Sequence, residues 1–499
     1  MASHFPWLTV IIFLPLLGSL LALYLGRNPA LCRLASLVVA LVELLVVALL
    51  FTVVPASGVG STGTWLLTED RPWVSSLGIR YSLGLDGISL MLALLSAFLT
   101  VLCILVSWRE IRTRVGTFHF FLFLMETSIM GVFLSTDLFL FYLFWEIQVI
   151  PMFFLIAIWG HEDRIYATIK FLLFTLAGSL FMLIALIGLY VIHGDQTGQY
   201  TFSLGNLMQT SLHGAPEIWL FTAFLLAFAI KIPVFPVHTW LPDAHTQAPT
   251  AGSVFLAGLL LKTGAYALLR FAFPLFPVAS RYFVPLLLVL GLIGLFYAGW
   301  IALAQRDLKR LVAYSSIGHM GLILIGIAAW NAITLSGAAL QMINHGLTTS
   351  ALFILVGMLD ERLHTREIAS FGGLWKKIPA FSAFFLFFAI ASLGLPGLNN
   401  FVGELLILVG TVGRNPFVTV SGFAGLVFTV IYILTVVQKT LFEEARNPLF
   451  RDQPFPDLSF REALILAPLA AGVLFVGFHP QPVLDLFAGP IAALPGVLK

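Results

Sequence analysis

Charged residues and cysteines are both scarce in this chain of 499 residues, of which 10% are charged and two are cysteines. So few charges exclude an ordinary soluble domain, in which about a quarter of the residues are charged. Cys32 and Cys103 stand singly in apolar surroundings, which excludes a CxxC pair and a haem or iron–sulfur cysteine set. The chain also lacks a glycine-rich nucleotide loop and a basic run typical of nucleic-acid binding. Any redox or nucleotide chemistry that drives this protein is therefore expected on other chains.

Apolar residues make up 60% of the chain, and the mean hydropathy is +1.01. Lipid cannot satisfy an open sheet edge, and the alternating pattern of a membrane barrel is absent. We therefore predict an all-α polytopic membrane protein. Stretches of about 20 apolar residues, enough to span a bilayer, recur about fourteen times. The predicted spans start near Pro6, Leu31, Leu85, Phe118, Leu138, Thr168, Ile218, Ala251, Phe283, Leu311, Leu335, Pro379, Phe417 and Glu462.

The basic residues are distributed unevenly between the two sets of alternating loops. Eighteen lysines and arginines, including Arg446 and Arg451, fall in one set, whereas six, including Lys499, fall in the other. Cytoplasmic loops carry the excess of positive charge. The asymmetry predicts an even number of spans with both termini on the outer side of the membrane.

Two spans are interrupted by proline or glycine. The seventh contains Pro233 and Pro236, and the twelfth is interrupted at LGLPGLNN, between 393 and 400. Broken helices at corresponding places in two halves mark the binding region of transporters with inverted repeats. Because the breaks are five spans apart, and five is odd, a tandem five-helix unit must appear upside down the second time. We predict an N-terminal segment (1–117), two inverted five-helix half-units (118–275 and 276–440), and a cytoplasmic loop with the last helix (441–499).

Four charged residues lie inside long apolar stretches, where an ionisable group costs at least about 2.5–3.5 kcal/mol. They are Glu146, Lys231, Lys262 and Glu404. Two acids and two lysines along one polytopic chain indicate a proton or cation relay. The alternatives are a structural partner for Glu146, a static ion pair for Lys231, a snorkelling side chain for Lys262 and a cap or tie of the broken helix for Glu404.

Histidines supply further candidates for the same relay. His319 and His345 lie within adjacent spans and could pass protons between lysines, or serve in packing. His238, Asp243 and His245 follow the first broken helix and could admit protons or order the loop. Their spacing predicts no metal site.

Glu126 is one more acid inside a span, in LFLMETSIM. It could pair with a neighbouring subunit or contribute to the relay.

Long motifs around these residues resemble the antiporter-like membrane subunits of respiratory complex I, most closely the chain M, or subunit 4, type. The motifs are FYLFWEIQVIPMFFLIAIWG, FAIKIPVFPVHTWLPDAHTQAPTAGSVFLAGLLLKTGAYALLRF, LKRLVAYSSIGHMG, QMINHGL, LPGLNNFVGELLIL and FHPQPVLDLF. The resemblance covers nearly the whole length. It implies fourteen helices with inverted repeats, and proton pumping powered by quinone reduction elsewhere in the complex. It also implies that Glu146 and Lys231 are an interacting pair, Lys262 the central lysine and Glu404 the terminal acid.

The resemblance leaves two functions open. The first is a proton-translocating subunit of an NADH (or related donor):quinone oxidoreductase, with NADH, FMN, iron–sulfur clusters and quinone on partner subunits. The second is a subunit of a secondary Na⁺/H⁺ antiporter, whose relatives usually carry lysine where this chain has Glu404. A quinone-binding role is a weaker third idea, because nothing forms a headgroup site. The implied partners are the L-type and N-type antiporter-like subunits, in a bacterial inner membrane or, alternatively, a thylakoid membrane.

Overall fold

The computed structural model describes residues 5–53, 65–444 and 456–496, and within these ranges it is almost entirely helical. Arg446, Arg451 and Lys499 lie outside the described residues. The longer helices are α1 (Trp7–Leu25), α2 (Pro29–Val53), α3 (Gly87–Glu110), α4 (Val115–Leu134), α5 (Leu138–Trp159), α6 (Arg164–Thr197), α7 (Ala215–Lys231), α8 (Trp240–Gln247), α9 (Thr250–Leu275), α10 (Pro277–Leu303), α11 (Leu308–Ala329), α12 (Ala332–Leu363), α13 (Pro379–Ser392), α14 (Asn399–Val412), α15 (Pro416–Phe442), α16 (Phe460–Phe478) and α17 (Gln481–Ala492).

Twelve of the helices in the described ranges are long and apolar enough to cross a membrane, which confirms the predicted all-α membrane fold. Both predicted interruptions are present. The first break, residues 232–239, separates α7 from α8, and the second break, residues 393–398, separates α13 from α14. The total of fourteen spans and the inverted repeat stay predictions.

Burial divides the helices into central and peripheral groups. The most apolar stretch of α9 is wholly buried and those of α11 and α12 are 94% buried, whereas those of α1, α2, α6, α15 and α16 are only 28–39% buried. An apolar helix with an exposed apolar face is suited to lipid, and a helix buried on all sides belongs to the core. Ionisable side chains on α9, α11 and α12 are therefore shielded from lipid by protein.

A β-hairpin that the sequence analysis did not predict lies between α2 and α3. Strand β1 (Leu67–Val74) pairs antiparallel with β2 (Ile79–Leu85), in register from Leu67 opposite Leu85. Its Glu69 accepts hydrogen bonds from the amides of Leu8 (2.7 Å) and Thr9 at the start of α1. The segment LTEDR at the start of β1 is charged and lacks the alternation of apolar and polar residues that indicates a strand, so the sequence predicts a loop there.

Carboxylates from distant segments cap two other helix starts. Glu217 on α7 accepts from the amides of Val278 and Ala279 at the start of α10. Asp457 accepts from those of Ala380 and Phe381 at the start of α13. The first amides of a helix have no partner within it, so these long-range caps fix helix ends to one another.

Candidate functional site

Four of the predicted residues form a continuous series across the interior, here called the central row: Lys262, His345, His319 and Glu404. The Nζ atom of Lys262 lies 2.6 Å from Nδ1 of His345 and also donates to the carbonyl oxygen of Ala257. The π-helical turn Leu256–Leu260 ends two residues before this lysine. Such turns widen a helix locally and recur at functional sites. Lys262 thus points into protein, not into lipid.

The central row continues from His345 through His319 to Glu404. The two imidazole rings lie 5.5 Å apart between centroids, and Nδ1 of His319 is 3.5 Å from Oε1 of Glu404. All four side chains of the row are buried, with exposures from 0 to 4%. Three helices and the second half of a broken one therefore bring four ionisable groups into one buried series.

Glu404 is positioned by the second break itself. Gly394, in the break, has φ +77°, and a Cβ atom there would stand 2.3 Å from Oε2 of Glu404. A left-handed conformation favours glycine. The carboxylate therefore occupies space that only a glycine leaves free.

Asparagines hold the second break against α12, a feature that the sequence analysis missed. Asn344 Nδ2 donates to the carbonyl of Asn399 (2.7 Å), and Asn399 Nδ2 donates back to the carbonyl of Asn344 (3.1 Å). Asn400 donates to the carbonyl of Ala391, the residue before the last of α13. These bonds tie the start of α14 to α12 and to the end of α13 across the break. The NN pair directly after LPGL was the available signal.

At the first break, Lys231 is the last residue of α7 and is fully buried. Within the described ranges its Nζ atom has no hydrogen-bond partner, and it lies 5.1 Å from the centroid of the Trp145 ring. Glu146, half-buried on α5, acts electrostatically on Lys231, but no ion pair within 4.0 Å joins them. The break is closed by Trp240, whose Nε1 donates to the carbonyl of Ile230 (2.9 Å).

Asp243, in the segment that follows the first break, is held by two cations. It lies 2.7 Å from Nζ of Lys170 on α6 and 3.3 Å from Nη1 of Arg310 on α11. These ion pairs suit a residue that orders the segment.

The two histidines of that segment pack against aromatic rings. His245 is fully buried, with its ring stacked on that of Phe353 at 4.5 Å, and His238 contacts Tyr297 edge to face at 5.1 Å. Neither imidazole donates or accepts a hydrogen bond within the described protein. His245 interacts electrostatically with Lys262, so it borders the central row.

Lys309, which is buried, and Glu110, which is half-buried, are charged residues that the sequence analysis did not select. Lys309 Nζ donates to the carbonyl of Ala248, and Glu110 accepts from the amide (2.9 Å) and hydroxyl (3.1 Å) of Thr250. They interact electrostatically with each other. Both lie at helix ends, where a basic or acidic residue in the sequence is typical of an exposed loop and does not indicate burial.

Glu126 points inward, to Glu43 on α2, and both are fully buried. No group of three or more His, Cys, Asp or Glu within the described residues could hold a metal ion.

This geometry defines a class: antiporter-like polytopic membrane proteins with broken helices and a buried series of ionisable groups. Residues 135–431 match the family model described as "NADH:quinone oxidoreductase/Mrp antiporter, TM". The chain belongs to this family.

Curated relatives and solved structures agree with the family. The chain is 48% identical to NADH-quinone oxidoreductase subunit M of Pseudomonas aeruginosa, over 88% of this chain and 86% of that one. It is 40% identical to subunit M of Rhodobacter capsulatus, over 98% and 96%. Its structure matches a chain of respiratory complex I from Thermus thermophilus with a TM-score of 0.86 and 32% identity, over 98% and 100%. A chain of the Mrp complex from Dietzia sp. (TM-score 0.84, 20% identity, over 99% and 98%) shares the fold.

Proposed function

We propose that this chain is the M-type, proton-translocating membrane subunit of an NADH-quinone oxidoreductase, and that the central row carries the protons. The similarity to curated M subunits over most of the chain supports the identity of the complex. The single observation that carries the role of the row is the contact of Lys262 with His345, in series with His319 and Glu404.

The first transfer occurs between Lys262 and His345. A protonated Lys262 donates one hydrogen to the Ala257 carbonyl and another to Nδ1 of neutral His345. Moving that second proton to Nδ1 leaves a neutral lysine and an imidazolium, which releases the proton on Nε2 toward His319. The imidazole is suited to this because its two nitrogens can accept and donate in turn.

Glu404 is the terminal acceptor of the row. His319 passes its proton to the carboxylate 3.5 Å away, or through one intervening water. Sodium requires several oxygen ligands at once, and here one carboxylate faces an imidazole. The transported ion is therefore H⁺.

Lys231 and Glu146 control the supply of protons to the row. Lys231 lies against Trp145, so a small movement at the break brings its ammonium group toward Glu146 or toward α9. Gly264 on α9 packs directly against Lys231, with a hypothetical Cβ atom 2.9 Å from that of the lysine.

The arrangement of the complex follows from the same assignment. The two half-units, 118–275 and 276–440, are inverted repeats that each contribute one break. The chain lies in a bacterial inner membrane, with both termini on the outer side, beside L-type and N-type subunits. NADH, FMN, iron–sulfur clusters and quinone are held by partner subunits.

Reconstitution of the purified complex tests the assignment. Proteoliposomes given NADH and quinone in sodium-free buffer are expected to acidify or alkalinise their lumen, and Lys262→Met to abolish that gradient while the complex assembles. The matched control is Lys439→Met, at the end of α15 and outside the row. A strict requirement for sodium would favour the antiporter function instead. An unaffected gradient in Lys262→Met would refute the central row.

A further inference from the structure

Two buried acidic side chains interact electrostatically outside the central row, on neighbouring helices that pack together. Glu43 lies near the middle of α2 and Glu126 near the middle of α4. Both are 0% exposed, and they act electrostatically on each other. Although α2 is mostly a lipid-facing helix, its one acid points inward.

Neither carboxyl group has a counter-charge. None of their four oxygens accepts or donates a hydrogen bond, and no Lys, Arg or His of the described ranges lies within 4.0 Å. The other titratable group here is the buried thiol of Cys103 on α3, beside Glu126. It supplies no positive charge.

Two adjacent carboxylates without a cation are the most costly state of such a pair, and one proton shared between them removes most of that cost. We propose that Glu43 and Glu126 form a proton-binding carboxyl pair that holds at least one proton at neutral pH, apart from the central row. This inference does not depend on the proposed transport function.

Infrared spectroscopy of the reconstituted complex tests the pair. A protonated carboxylic acid has a carbonyl stretching band well separated from those of carboxylates and amides. We expect the difference spectrum at pH 7 between the parent and Glu43→Gln/Glu126→Gln to show loss of one such band. Since the amide is close to an isostere of the neutral acid, quinone reductase and pumping rates should stay within about twofold of the parent.

The matched control is Glu462→Gln, because Glu462 is ion-paired to Arg362 at 2.7 Å and should lose only carboxylate bands. Where the double variant does not assemble, the same infrared difference spectra are recorded for the single variants Glu43→Gln and Glu126→Gln. No change in the carboxylic-acid band would show two ionised groups and overturn the proposal. A loss of pumping of more than about tenfold in assembled variants would place the pair in the transport path and overturn its separation from the row.

Discussion

Both breaks interrupt a helix, but the buried charged residue beside the first break is a lysine and the one beside the second is an acid. At the first break the lysine comes before the interruption, as the last residue of α7, and its acid lies on another helix without an ion pair. At the second break the acid comes after the interruption, in the second turn of α14, and faces His319 at 3.5 Å. Among the residues that the structure describes, Lys231 has no hydrogen-bond or ion-pair partner, whereas Glu404 has an imidazole.

The helix ends at the two breaks favour charges of opposite sign. The C-terminal end of a helix carries a partial negative charge and favours a cation, and the N-terminal end favours an anion. Lys231 lies in the last turn of α7, at the end that suits its charge, whereas Glu404 lies in the second turn of α14, beyond the turn to which this effect is largely confined. The helix end thus compensates part of the charge of the lysine at the first break, and the second break places its acid beside His319 instead.

The largest expected effect comes from removing the charged residues at the first break. Glu146→Gln and Lys231→Gln should each lower proton-coupled quinone reductase activity by at least about tenfold, because loss of a proton-transfer group typically costs about 10²–10⁴-fold. The double variant should be no worse than the singles, since the two residues act as a unit. Turnover and proton uptake of the assembled complex provide the measurement. Multiplicative losses would contradict coupling between the two residues.

The second expected effect concerns the charge at the second break. Glu404→Gln should lower pumping by about fivefold to tenfold, and Glu404→Asp by about twofold, because the aspartate keeps an ionisable carboxyl slightly farther from His319. The pH gradient formed per quinone reduced is the readout. Equal effects of Gln and Asp would mean that geometry, not protonation, matters there.

A pair of glycines allows the two breaks to be compared directly. Gly394→Ala adds a methyl group against Glu404 at a left-handed position, which costs about 1–2 kcal/mol in backbone conformation alone. Gly264→Ala adds one against Lys231 and Ile232 without such a conformational cost. We expect roughly threefold lower pumping for Gly394→Ala and a smaller decrease for Gly264→Ala.

The control for this pair is Gly413→Ala, because a Cβ at Gly413 meets nothing within 4 Å. Assembly is followed by native electrophoresis. A larger decrease in pumping for Gly264→Ala than for Gly394→Ala would contradict the expectation that the second break is the more sensitive to an added methyl group.

The smallest effect concerns the cap of α5, the helix that carries Glu146. Asp137 accepts hydrogen bonds from the amides of Phe139 and Leu140, and burial raises its pKa from 3.8 to about 6. The folded state then binds the proton more tightly than the unfolded state, so stability should fall as pH rises from about 4 to 6 and stay level above. The contribution is at most roughly 3 kcal/mol.

Asp137→Asn should remove this dependence while keeping an amide oxygen as the cap. The thermal unfolding midpoint of the purified complex, measured from about pH 4 to about pH 8, provides the test. An unchanged pH profile in the variant would mean that Asp137 is ionised throughout that range.

Sequence reasoning placed the spans well because lipid imposes length and apolarity on every one of them. Each predicted start lies within six residues of an observed helix start, as for Phe283 against Pro277. Lys262 and Glu404 were found because a charge inside an apolar run is conspicuous. Glu43, Lys309 and the asparagines at the second break were missed, because their burial depends on neighbours from other helices.

The sequence by itself determined the membrane class, the two breaks and those interior charges that stand out within apolar runs, since hydropathy and proline act locally along the chain. Only the tertiary structure decided which charges meet. Lys262 and His345 are 83 residues apart in sequence, and their contact depends on the packing of α9 against α12. The same holds for Glu126, whose neighbour could not be inferred from α4 alone, because helix packing brings Glu43 of α2 to it. Helix packing sets the partners of buried charges, and the local sequence around each charge does not show which helices pack together.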